Sequence, residues 1–219
     1  MPPAPARLVA LRNNTAAECA ANGFVCRGAG VLNAAVGGGC TLTCQTFSTV
    51  FQIDVAVGGP DWFIPYGGGE ARFCDIPRGQ PNGTLVVTYP MNGCALEVRR
   101  HGANTNRFYH DADGNSMPAA GAAGHPAAAH QQFRADAAAI AGPGARAEAI
   151  FAAHPTGMDA EDGEAYGQNF EHTVICVKNG ANWDVYQTAV IITAIMGTGN
   201  QLAFMVPDGP PVHLGQFAD

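Results

Sequence analysis

Hydrophobic and polar positions alternate with a period of two over 48–57, Ser-Thr-Val-Phe-Gln-Ile-Asp-Val-Ala-Val, which predicts a half-buried strand. Further strands are predicted over 62–66, where Pro65 interrupts the run, and over 84–89, 94–100 and 107–111. An alanine-rich interval, 117–154, follows. Within it 127–140 and 146–153 read as two helices, rich in the strongest helix former and broken at Gly142-Pro143-Gly144. The β pattern returns over 171–178 and 183–193, on either side of a four-residue loop holding the turn pair Asn179-Gly180, and again over 202–206. Residues 1–45 are rich in Gly and Ala and poorly periodic, with at most a short helix near 15–22. This order predicts one α/β domain of the α+β kind over 1–219, a mixed or antiparallel β-sandwich-like sheet flanked by helices, with 1–45 of undetermined structure.

Composition narrows the class of partner. A chain of 219 residues, 47% of them hydrophobic, is long enough to bury one substantial core. Charged residues make up only 13%, about half the usual share, and the formal net charge is −7. With no basic cluster, the chain lacks the electrostatic footprint of a nucleic-acid binder or of a protein attracted to anionic membranes. The expected partners are proteins or small molecules, and the oligomeric state is left open. The opening Met-Pro-Pro-Ala-Pro-Ala-Arg has no apolar stretch of signal-peptide length, and no run approaches about 18 uninterrupted apolar residues. These features predict a soluble cytoplasmic product with no membrane insertion.

The seven cysteines are an odd number, so one thiol at least stays unpaired. Cys19, Cys26, Cys40, Cys44 and Cys74 crowd the first third and are disulfide candidates in an oxidising compartment, while Cys176 sits in the apolar run Thr-Val-Ile-Cys-Val. Cys40 and Cys44 have the spacing of a zinc half-site, but no second pair follows, and no metal or other cofactor is expected. Residues 111–115, Asp-Ala-Asp-Gly-Asn, imitate the start of a calcium loop, yet Ser116 holds the sixth position where glycine is required, so they read as a turn. Asp159, Glu161, Asp162 and Glu164 read as a solvated loop, Asn13 and Asn82 as incidental glycosylation triplets, and His172 as a core histidine.

One segment carries chemistry. The strand 84–89 is stopped by Pro90, Asn92-Gly93 supplies tight-turn residues, and Cys94 opens the next strand at its exposed end. A thiol near its reference pKa of about 8.5 is mostly protonated at neutral pH and needs an imidazole to become a thiolate. His110 offers one. If 94–100 and 107–112 form a hairpin, residues 96 and 110 can face each other, leaving Cys94 on the diagonal at about 7–8 Å between backbones. A slip of one residue would send His110 to the opposite face. Thr88, six residues before the cysteine, can orient the imidazole as the third member of a triad. Backbone amides of Gly93 and Cys94 can point at a developing oxyanion. His101 is the rival base, but its place in the hairpin loop suits it poorly for alignment with a thiol.

The run Thr88-Tyr-Pro-Met-Asn-Gly-Cys94 resembles the Thr-x-Pro-Leu-Ser-Gly-Cys motif of the toxin glutamine deamidases, the superfamily of the cytotoxic necrotizing factor catalytic domain and the Burkholderia lethal factor, with the chemotaxis receptor deamidases more distant. The resemblance covers about 25 residues, and Met91-Asn92 stand where the motif has Leu-Ser. It implies Cys94 as nucleophile, His110 as base and Thr88 as orienting group. The implied activity is conversion of a protein glutamine to glutamate by a bacterial toxin or effector delivered to the host cytosol, with a host protein as partner. Two other readings fit the same residues: a thiol peptidase using the same dyad, and a non-catalytic sandwich-type binding module in which Cys94 is buried and inert.

Overall fold

A computed structural model describes residues 4–27, 37–47, 49–66, 71–90, 95–111, 147–152, 168–196, 201–207 and 212–219. Among them the chain is mostly β. Two short helices, α1 (Ala4–Asn13) and α2 (Thr15–Ala21), precede β1 (Phe24–Arg27), β2 (Gly38–Phe47), β3 (Val50–Val57), β4 (Asp61–Ile64), β5 (Ala71–Pro77), β6 (Leu85–Thr88), β7 (Ala95–Arg100), β8 (Thr105–Asp111), β9 (Ala147–Ala152), β10 (Gln168–Asn179), β11 (Asn182–Met196), β12 (Gln201–Pro207) and β13 (Val212–Ala218). Nine strands form a mixed sheet in the order β1-β3-β2-β4-β6-β10-β11-β12, with β13 also on β11. The pairs β1/β3 and β4/β6 are parallel. The other four form an antiparallel sheet, β5-β8-β7-β9.

The central strands of the large sheet are buried on both faces, which is why they read as continuous apolar runs rather than as alternation. On β6, Leu85 and Val87 cluster with Ile175 and Val177 of β10 and with Leu11 of α1 and Cys19 of α2. Val86, on the other face, clusters with Val174, Cys176, Trp183 and Val185 and, from the small sheet, with Cys74, Ile76, Leu96, Val98 and Phe108. Helices, large sheet and small sheet thus form successive layers, with a core in each gap. Fully burying a residue such as Leu96 or Phe108 contributes about 1.5–3 kcal/mol, so the gap between the sheets is a main source of stability.

The large sheet also curls. β1 and β10 lie far apart in ladder order, yet the Cys26 amide donates to Thr173 Oγ1 at 3.1 Å and Thr188 Oγ1 donates to the Phe24 carbonyl at 2.7 Å. Thr173 and Thr188 are direct partners across β10 and β11. Their hydroxyls therefore satisfy the outer edge of β1, doing with side chains what a closing ladder would do with backbone.

Two expectations about elements need correction. The helix expected over 146–153 is the strand β9, paired with β7 from Ala95↔Ala152 to Arg99↔Ala147. Alanine-rich helices this short are marginal alone, and a neighbouring strand edge with free backbone groups outweighs the propensity. The helix expected over 127–140 lies outside the described residues. Among the described residues the helical flank is N-terminal, where α2 matches the expected short helix and α1 was not anticipated. The 179–182 loop is tighter than expected, because Asn179 pairs directly with Asn182 and Gly180 takes φ 60 between them.

Candidate active site

The hairpin β7/β8 builds the site's first half. Its loop closes with the His101 amide on the Thr105 carbonyl at 2.9 Å and Gly102 at φ 73, which sets the pairing Arg100↔Asn106 through Leu96↔His110 to Ala95↔Asp111. This is the register in which residues 96 and 110 face each other. Leu96 and Phe108 belong to the core between the sheets, so His110, two residues beyond Phe108, projects toward the same gap. Its side chain is 0% exposed. On its other side β5 places Arg72 in register with it.

β6 brings the second half from the facing sheet. Val86 points into the same gap, and so does Thr88, two residues on and fully buried. The β6/β10 ladder stops at Val87↔Ile175, and the Val174 amide donates to Thr88 Oγ1 at 3.2 Å. One lone pair of that hydroxyl is thus committed to the sheet, leaving its second lone pair and its proton. Tyr66, just past β4, spans the gap: its ring centroid lies 6.0 Å from His110 at an interplanar angle of 63°, and 5.8 Å from Tyr89. Thr88, Tyr89, Tyr66, Arg72 and His110 therefore meet at one end of the two sheets. Of these, Tyr66 and Arg72 were not anticipated, since residues so distant in sequence give no local signal of a shared corner.

The expected nucleophile Cys94 and the expected oxyanion contributor Gly93 lie outside the described residues; the chain leaves that corner at Pro90 and re-enters it at Ala95. The calcium-like segment beyond Asp111 and the acidic run 159–164 are also outside them, and of His172 only the backbone is described, paired with Ala189.

The rival base is at the wrong end. His101 lies five residues from the level of Leu96, about 17 Å along the strand. Its Nε2 sits 3.1 Å from an Arg107 amino nitrogen. Guanidinium is a permanent donor, so Nε2 accepts and the ring proton is on Nδ1. Arg107 also clamps Asp75 at 2.6 and 2.7 Å and stacks on Phe73 at 4.1 Å. His101 is thereby part of a structural cluster.

The six described cysteines are free and buried. Burial pushes the Cys19 and Cys40 thiols up to about 12 and Cys44 up to about 11, and it raises Cys26, Cys74 and Cys176 as well. None of these six has the character of a nucleophile. Among the described residues no group of three or more His, Cys, Asp or Glu side chains is arranged to hold a metal. No described helix is long and apolar enough to cross a membrane.

A cleft of about 310 Å³ opens at the opposite end of β6 and β10, lined among others by Arg12, Asn13, Asn82, Lys178, Asp184 and Tyr186. Its cations are already engaged. Arg12 forks onto the buried Asp61 and donates to the Gly83 carbonyl at 2.9 Å, while Lys178 bonds the Gly180 carbonyl at 2.5 Å and Asp219 at 3.3 Å. The cleft presents no nucleophile among its lining residues, so the Thr88/His110 corner is the better candidate for chemistry.

No family model and no curated protein matches the chain. Among solved structures, the chain is distantly similar in fold to the C-terminal domain of CNFy from Yersinia pseudotuberculosis, with a TM-score of 0.33 and 13% identity over 68% of this chain and 62% of that one.

Proposed function

We propose that the protein is a cysteine-dependent glutamine deamidase, with Cys94 as nucleophile, His110 as base and Thr88 as the orienting hydroxyl. The observation that carries this reading is the Leu96↔His110 register together with the common projection of His110 and Thr88 into the gap between the sheets. In the strand read from the sequence over 94–100, residues 94 and 96 share a face, the spacing that suits a thiol–imidazole pair with residue 110. The Thr-x5-Cys spacing of the deamidase motif supports the same assignment.

His110 takes the thiol proton, and the thiolate attacks the glutamine side-chain carbonyl while amides of Gly93 and Cys94 hold the oxyanion. The imidazolium returns the proton to the departing nitrogen, which leaves as ammonia. Water, deprotonated by the same histidine, then cleaves the thioester to give glutamate and the free thiol. The remaining lone pair of Thr88 accepts from the imidazole and holds its ring in place. As the motif implies, the substrate is a protein of a host cell. Exchanging a carboxamide for a carboxylate removes two donors and adds a charge, enough to disable a regulatory surface.

The test is a mass map of a eukaryotic cell lysate incubated with the protein or with Cys94→Ser. A glutamine-to-glutamate conversion seen only with the wild type is expected. Its absence, or its persistence with Cys94→Ser, refutes the assignment; cleaved backbone bonds at Cys94-dependent sites would move the chemistry to a thiol peptidase.

A further inference from the structure

His110 is the penultimate residue of β8 and is 0% exposed. The groups facing it are known on three sides. Leu96 pairs with it across β7 and carries no charge, Arg72 pairs with it across β5, and from the large sheet Tyr66 reaches it with the ring at 6.0 Å. Tyr66 is in turn packed against Tyr89 at 5.8 Å, and the parallel register Ile64↔Thr88 ties both tyrosines to the end of the same strand pair. Both tyrosines are partly exposed, while His110 is fully buried beside the Tyr66 ring.

We propose that Tyr66 is a positioning residue for His110: its ring, backed by Tyr89, fixes the plane of the imidazole across the gap between the sheets and keeps water from it. The proposal rests on the deamidase reading, since it concerns the same base. A ring at an edge angle restricts rotation about the imidazole's χ2, which is otherwise a broad torsion. Excluding water lowers the local dielectric and strengthens the coupling between imidazole and thiolate. The ring acts here, and the phenolic hydroxyl is not required.

The experiment measures alkylation of Cys94 by iodoacetamide from pH 5 to 9, read by peptide mass mapping, in wild type, Tyr66→Phe, Tyr66→Leu and His110→Ala, with melting curves to show that each variant is folded. Tyr66→Phe should label within about twofold of the wild type at every pH. Tyr66→Leu, which retains bulk without a ring, should label at least tenfold more slowly at pH 6.5, with its pH midpoint moved up toward that of a free thiol near 8.5. A folded Tyr66→Leu with the wild-type profile overturns the proposal, and so does a Tyr66→Phe that loses as much as Tyr66→Leu. If His110→Ala also leaves the profile unchanged, the failure lies in the base assignment itself and not in the role of Tyr66.

Discussion

Asp219 ties the two sheets together, and its replacement is the most direct test of how they are held. Its carboxylate accepts from Asn106 Nδ2 at 3.1 Å and Trp183 Nε1 at 3.0 Å through one oxygen, and from the Gly79 amide at 2.7 Å and Lys178 Nζ at 3.3 Å through the other. Its backbone carbonyl accepts from Arg78 and Arg100 at 2.6 and 3.0 Å, and its amide donates to the Ala181 carbonyl. Lys178 is 3% exposed and Trp183 0% exposed, so Asp219→Ala strands a buried cation and buried neutral donors. Removing one partner of a buried ion pair costs about 3–5 kcal/mol, which in a chain of this size lowers Tm by roughly 6–20 °C. Lys178→Met in the Asp219→Ala background should recover part of the loss, because the unpaired cation goes with it. Burial alone would raise this carboxyl, but the bonds from Trp183, the Gly79 amide and Lys178, with the Lys178 charge, hold it below its ordinary 3.8. A group whose folded pKa is depressed adds stability above its unfolded pKa and loses it as pH falls through the folded value. Urea denaturation should therefore show the full gap between wild type and Asp219→Ala at pH 7, narrowing only below about pH 4. A gap under about 0.5 kcal/mol at pH 7, or one that widens in acid, would refute the argument.

The other expectations follow the same logic. Arg12→Met should cost about 3–5 kcal/mol by leaving Asp61, 1% exposed, without its cation, and Arg12→Met/Asp61→Leu should regain much of it in the same denaturation assay. Thr173→Val leaves the Cys26 amide without its acceptor, so stability should drop by about 1–3 kcal/mol and hydrogen exchange at that amide should accelerate. Thr88→Val should lose Cys94 reactivity and also about 1–3 kcal/mol, since its hydroxyl carries the Val174 amide; full stability would mean that this bond is absent in solution. In native protein at pH 6.5, Cys94 should be alkylated well ahead of the six buried thiols, and the selectivity should vanish in His110→Ala but survive in His101→Ala.

Local chemistry was enough to locate much of this protein. Period-two alternation marked β3, and the Asn179-Gly180 turn marked the β10/β11 hairpin. The sequence allowed residues 96 and 110 to face each other but left the register open, and the loop closed by the His101 amide on the Thr105 carbonyl decided it. What the sequence could not decide was set by partners distant along the chain. Ala147–Ala152 is a strand because β7 offers it an edge, whatever alanine prefers alone. β5 and β13 alternate too weakly to stand out, and they exist because β8 and β11 pair with them. Tyr66 reaches His110 only once the two sheets are stacked, Arg72 only once β5 pairs with β8, and His101 is set apart from it by the length of a hairpin. Side-chain period and turn residues act within a few residues and can be read from one chain, whereas burial, strand partners and the corner where sheets meet depend on contacts that exist only after the chain has folded.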